Sequence, residues 1–278
     1  MLRFCNNNIL KVGLILLALL MVVPSADAAK RKKKKAAEVE VALLEPERPA
    51  NEFKAMPDAS QKMAKQPKIA GFSSMGAINY LHGIDVSHYQ HTINWSETAK
   101  DPKVGYVYLK ATEGRDLIDD TYEYNLKEAR RYGLKVGSYH FFRPNLSAES
   151  QFQNFKNVVN RKQQDLIPLI DVEVLGGVTI ATLHSRLQEF LKLVTNEYGR
   201  RPMIYTGRNF YNKYFAGYST FKAYQFMIAQ YTIEEPILAG NDDFVIWQYT
   251  GHGTVRGIRG EVDQSRFHGR HTLKEIMY

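Results

Sequence analysis

The stretch LIPLIDVE, residues 166–173, is a near-continuous apolar run that finishes in two acids one residue apart. Such a run reads as a buried strand of the kind found in parallel sheets covered on both faces. Side chains on a strand alternate faces, so Asp171 and Glu173 project the same way, about 6–7 Å apart along the backbone. Like charges that close resist simultaneous ionisation, which pushes their pKa values apart. A pair of that kind suits a reaction needing one proton donor and one anion. The competing reading is an ordinary strand end whose acids meet solvent or basic side chains, the commoner fate of surface carboxylates.

Similar runs recur on both sides of this stretch. HGIDVS (82–87), VGYVYLKA (104–111) and KVGSYHFF (135–142) precede it, and PMIYTG (202–207), YQFMIAQY (224–231), DFVIWQY (243–249) and IRGEVDQS (258–265) follow. Amphipathic segments separate the early ones: 120–133, 147–160 and 179–199, with a short helical segment at 208–216. Strand–helix alternation predicts an α/β fold of parallel βα units, and eight strands predict closure into a TIM-like barrel. About 200 residues is the lower edge for a complete barrel of this type. The pattern therefore predicts eight strands with helices mainly in the first half.

The amino-terminal third reads differently. Residues 1–28 have the form of a signal peptide: Arg3 and Lys11, the apolar run 12–23, then Ala26-Asp27-Ala28 as a cleavage site. Twelve apolar residues are short for a membrane span, so export with cleavage is expected over an uncleaved anchor. Residues 29–79 hold the block KRKKKK (30–35) and a Pro-, Glu- and Ala-rich linker, read as disordered. The domain proper is 80–278. Of the formal charge of +8, the block carries six and the leader one, leaving about +1 for residues 36–278. That near-neutral balance excludes a nucleic-acid-binding profile, and the basic block is a solvated linker or a tether to an anionic envelope polymer. The single cysteine, Cys5, lies in the leader, so the mature chain has no thiol, disulfide or cysteine–zinc chemistry.

Barrel enzymes carry their chemistry at the carboxyl ends of the strands. Asp85, Asp171, Glu173 and Asp263 all fall late in predicted strands. Tyr139, His140, Tyr205, Gln230, Tyr231, Trp247 and Gln248 occupy comparable positions. Acids ringed by aromatic faces and amides suit sugar. For any one aromatic, core packing is the competing reading.

Several blocks together resemble the family-25 glycoside hydrolases, the Chalaropsis-type lysozymes. These are GIDVSHYQHTINW (83–95), YLKATEG (108–114), GLKVGSYHFFRP (133–144), PLIDVE, IYTG and IWQYTGHGTVRGIRGEVDQSRF (246–267). The resemblance implies a flattened (β/α)5(β)3 barrel and cleavage of the β-1,4 bond between N-acetylmuramic acid and N-acetylglucosamine in peptidoglycan glycan strands. It makes Glu173 the proton donor, Asp171 its partner acid, and Asp85 and Asp263 the remaining acids of the groove. It implies no cofactor and no metal, and a monomer is expected. Two positions depart from the pattern: Met227 where members often carry Trp, and Ser265 where Asn is common. Two other classes compete. A non-catalytic glycan-binding module has no need of all four acids. A peptidoglycan deacetylase or amidase needs His/Asp metal ligands, whereas the eight histidines here are scattered.

Overall fold

The computed structural model describes residues 81–278; the leader and linker expected over 1–79 lie outside the described residues. Eight strands close a barrel: β1 (His82–Val86), β2 (Tyr106–Glu113), β4 (Lys135–Phe141), β5 (Leu169–Asp171), β6 (Met203–Gly207), β7 (Phe226–Ala229), β8 (Ile246–Gly253) and β9 (Val262–Phe267). The two-residue β3 (Leu117–Ile118) folds back on the end of β2 as an edge. Helices α1 (Trp95–Thr98), α2 (Tyr122–Arg131), α3 (Ala148–Val158), α4 (Ile180–Tyr198) and α5 (Arg208–Tyr214) follow β1, β3, β4, β5 and β6. The last three strands are joined without an α-helix. The expected α/β barrel with helices mainly in its first half is therefore what the chain forms.

β1 pairs β2 in parallel, and parallel pairing continues through β4, β5, β6, β7 and β8. β9 is the exception. It runs antiparallel to both β8 and β1 and closes the ring between them. Its direction brings the start of β9, not its end, to the rim where the parallel strands finish. Asp263, expected late in a strand, stands second in β9 and reaches that rim by this reversal.

Two apolar layers hold the barrel. Outward-facing Ile84, Val107, Leu109, Val136, Ile170, Ile204 and Ile228 pack against Leu183, Leu187, Phe190, Leu191 and Val194 of α4 and the inner faces of α2 and α3. The 3.6-residue spacing of the α4 set is what makes that helix cover the sheet. α4 starts on the Thr179 side chain, which accepts from the Thr182 amide, and ends at Gly199. Inside, Tyr106, Tyr108, Leu169, Met203, Met227, Ile246 and Phe267 fill the barrel below the rim. A Cβ on Gly83 would stand 2.3 Å from the Tyr106 ring, so that ring lies flat on β1 only because position 83 has no side chain. Ser265 ties the same tyrosine, Oγ to hydroxyl 2.9 Å, inside the barrel. Among the described residues no helix is long and apolar enough to cross a membrane.

Candidate active site

The inward faces of β1, β4, β5, β6 and β8 end in polar groups above this packed interior. Asp85 lies late in β1, and both its oxygens accept from Nε2 of Gln248, at 3.1 and 2.9 Å. Oε1 of the same amide accepts the hydroxyls of Tyr205, at 2.8 Å, and Tyr231, at 2.9 Å. Two phenols on one end and a carboxylate on the other leave the buried amide a single orientation. Asp263 is the direct cross-strand partner of Asp85. A Cβ at Gly251 would come within 3.1 Å of Asp263 Oδ1 and 3.3 Å of the Tyr231 ring. That glycine, unremarked in the sequence reading, lets β8 close over both.

Asp171 ends β5 in register with Phe141 of β4 and Tyr205 of β6. Its side chain is buried, and its Oδ1 has no hydrogen-bond partner. Burial pushes the Asp171 carboxyl well above the ordinary carboxylate range; the charge of Glu173 adds to this and Lys110 opposes it. Burial likewise raises Asp85, with Asp263 adding, the Gln248 amide opposing, and Glu173 adding again. Glu173 itself is exposed. Its charge is felt by Asp171, Asp85, Tyr205 and Tyr231, which places it over the same rim. Half-buried Tyr139 stands among the acids: burial raises its hydroxyl, and Asp85, Asp171 and Asp263 raise it further.

The structure thus brings together Asp85, Asp171, Glu173, Asp263, Tyr139, Tyr205, Tyr231 and Gln248. It does not bring in the other three residues named from the sequence. His140 was expected to touch substrate. It is fully buried on the outer face of β4, with Nδ1 2.8 Å from Thr112 Oγ1, Nε2 3.3 Å from Gln151 Oε1, and its ring stacked on Phe190 at 4.9 Å. Burial lowers it to about 4, so it is a neutral core histidine. Trp247 was expected in the groove, but Gln248 takes the inward face of β8 and turns Trp247 outward. Its Nε1–H donates to the Gln230 carbonyl at 2.9 Å, under the Arg266 guanidinium at 4.9 Å. The Gln230 side chain bonds its own loop, at Thr232 Oγ1 (2.8 Å) and the Glu234 carbonyl (3.3 Å).

The sequence reading also missed Lys110, Glu113 and Arg143, which gather around Phe141, the residue in register with Asp171. Among the described residues no group of three or more His, Cys, Asp or Glu side chains is arranged to hold a metal ion. One buried acid that favours its proton beside one exposed acid, edged by phenols, can donate a proton while holding a charge.

The model of the glycosyl hydrolases family 25 matches residues 84–258, a span that includes Asp85, Asp171 and Glu173 and stops short of Asp263. The chain belongs to glycosyl hydrolase family 25. Family 25 membership makes it a glycoside hydrolase of the muramidase type. It is 37% identical over 202 residues to YegX of Escherichia coli (strain K12), covering 70% of this chain and 72% of that one. It is 29% identical over 201 residues to Lysozyme M1 of Streptomyces globisporus, covering 68% of each chain. Among solved structures, the bacterial lysozyme from Streptomyces coelicolor superposes with a TM-score of 0.64 at 28% identity. That match spans 72% of this chain and 96% of the other. The family 25 barrel thus accounts for nearly all of the described residues.

Proposed function

We propose that this family 25 hydrolase cleaves the β-1,4 bond between N-acetylmuramic acid and N-acetylglucosamine in peptidoglycan, as a 1,4-β-N-acetylmuramidase. The observation that carries the reading is the unequal pair at the end of β5: Asp171 buried with an unpartnered oxygen, Glu173 exposed on the same rim. Breaking a glycosidic bond requires a proton on the leaving oxygen and an anion near the developing oxocarbenium. Two acids on one strand end cannot flank a sugar from opposite faces, which disfavours direct attack by a second carboxylate. The substrate's own 2-acetamido group supplies the nucleophile, a recognised alternative. Its N–H then donates to Oδ1 of Asp171, orienting the acetamido oxygen towards the anomeric carbon.

The same contact governs the proton. In the free enzyme burial favours the protonated form of Asp171. An N–H donor delivered by the sugar favours the ionised form of Asp171. The pair's proton then passes to Glu173 as the sugar covers it, and Glu173 gives it to the leaving oxygen. Asp85 and Asp263, with the amide of Gln248, position the water that later opens the oxazoline. Tyr139, Tyr205 and Tyr231 give rings and hydroxyls to sugar faces and edges. We infer in addition that the substrate is met outside the cytoplasm, with residues 1–28 removed and the 30–35 block holding an anionic envelope polymer.

Digestion of purified peptidoglycan, borohydride reduction and identification of the reduced ends tests the cleavage. Reduced N-acetylmuramic acid is the expected end. Reduced N-acetylglucosamine, or free stem peptides with intact glycan, overturns the reading.

A further inference from the structure

β2 breaks its alternation once. Its pairing with β4 runs evenly to Lys110↔Tyr139, then slips by a residue, so that Thr112 meets His140 and Glu113 meets Phe141. Ala111 takes the extra place and packs into the outer layer. In a regular strand, residues three apart face opposite sides. The bulge turns Glu113 back to the inward face, so it stands beside Lys110 at the rim. Bulges recur next to active sites because they re-aim one side chain in this way.

The re-aimed carboxylate holds two cations. Lys110 Nζ lies 2.7 Å from Glu113 Oε2, with 9% and 13% of the two side chains exposed. Arg143, just beyond β4, bonds Glu113 Oε1 through Nε at 3.0 Å and through Nη2. Both cations also lie over the ring of Phe141, at 5.6 and 4.5 Å. Phe141 is the residue in register with Asp171. Burial pushes Glu113 up, but the bonds and charges of Lys110 and Arg143 outweigh it and hold it below the ordinary value. The three groups thus carry one net positive charge beside the acids. Burying three charges adds little stability against a packed apolar alternative, so stability alone is a weak reason for the cluster.

The charged groups facing Asp171 are Glu173 from its own strand end, Lys110 and Glu113 from β2, and Asp85 from β1. Tyr139 of β4 and Tyr205 of β6 add phenols. Lys110 supplies the positive member of this set. A lysine paired directly with Asp171 would hold it ionised and empty the pair of its proton. Tied to Glu113, the lysine acts at reduced strength.

We propose that Lys110, aimed by the β2 bulge and held by Glu113 and Arg143, is a positioning residue that sets how readily the Asp171–Glu173 pair holds its proton. The inference rests on the acid pair being the reacting machinery, as proposed above, but its test does not depend on turnover.

The test is a carboxyl-carbon NMR titration of the full chain labelled at aspartate, with the Asp171 signal assigned by its loss in Asp171→Asn. Lys110→Met should raise the Asp171 midpoint by about 1 pH unit, Glu113→Gln should lower it by about as much, and Lys110→Arg should stay within about 0.3 unit. Opposite shifts from the two halves of one ion pair are the signature, because loss of a merely structural contact would move both the same way. Shifts of one sign, or none beyond about 0.3 unit, overturn the proposal. If one variant does not fold, the sign of the other's shift decides alone. Pairing the titration with pH–rate profiles on peptidoglycan separates two failures: an inactive wild type sinks the muramidase reading, whereas the titration still judges Lys110.

Discussion

Asp85 and Asp263 are direct cross-strand partners, one near the end of the first strand and one near the start of the last. Like charges directly opposite each other on paired strands destabilise the fold. Burial and Asp263 together hold the Asp85 carboxyl well up. Asp263→Asn should therefore raise unfolding stability by up to about 1 kcal/mol at neutral pH while lowering turnover, a trade common at active sites. Urea titration and initial rates check it together; a less stable variant would contradict the argument.

Glu173→Gln keeps shape and hydrogen bonding but has no proton to give. Turnover should fall by roughly 10²- to 10⁴-fold, with glycan affinity retained. Rates close to wild type would return the end of β5 to the reading of an ordinary strand end.

Asp171→Asn removes the negative charge that Asp171 carries beside Glu173 once substrate is bound, and leaves only a neutral, weaker amide oxygen to accept the acetamido N–H. Glu173 then titrates without its partner, so the fall in activity towards neutral pH should move to lower pH and the maximum should drop. An unmoved limb would show that the two acids do not titrate as a pair.

His140 makes a prediction about stability and none about rate. Burial holds it down to about 4. An unfolded imidazole takes up its proton near pH 6.5, so between those values the unfolded chain binds a proton that the native state refuses. Stability from this group is therefore present above about 6.5 and lost as pH falls through 4. The raised Asp85 and Asp171 carboxyls run the other way: their contribution is present below about pH 4 and is lost as pH rises through their folded values. Compared with wild type, His140→Asn should regain about 2 kcal/mol between pH 7 and pH 5. Urea unfolding at both pH values measures it, and a constant difference would place the residue outside the core.

Deleting residues 30–78 should leave turnover of soluble glycan fragments unchanged. Adsorption to whole sacculi should weaken and lose its salt dependence, because a contact made by the basic block is screened by salt. Equal adsorption at low and high salt in the full chain would remove the tether.

Much of the fold was legible because the strands are long apolar runs and the helices carry a clean 3.6-residue stripe. Strand direction was not, since periodicity is the same whichever way a strand runs; hence the antiparallel β9 and the misplaced position of Asp263 within it. Asp171, the last residue of β5, stands where alternation put it; Glu173 lies two residues past the strand's end, and its charge still acts on Asp171. The same rule, applied to neighbouring residues, separates Tyr139 from His140 and Gln248 from Trp247, since adjacent side chains cannot share a face. Gln230 lies past the end of β7, where alternation gives no guidance and its own loop claims the side chain. The Lys110–Glu113 pair depends on a one-residue slip, which leaves no periodic trace in YLKATEG.

The reversed β9 also bears on how the protein is made. The seam it fills joins segments far apart in the chain: Gln248 reaches Asp85 across 163 positions, and Ser265 reaches the Gly83 carbonyl across 182. Contacts that distant form late, because the intervening loop must close before they stabilise anything. A ribosome that stops before Val262 leaves β1 and β8 unjoined and Asp85 without its opposite number. The pairing of Asp85 with Asp263 therefore forms only once β9 has closed the ring.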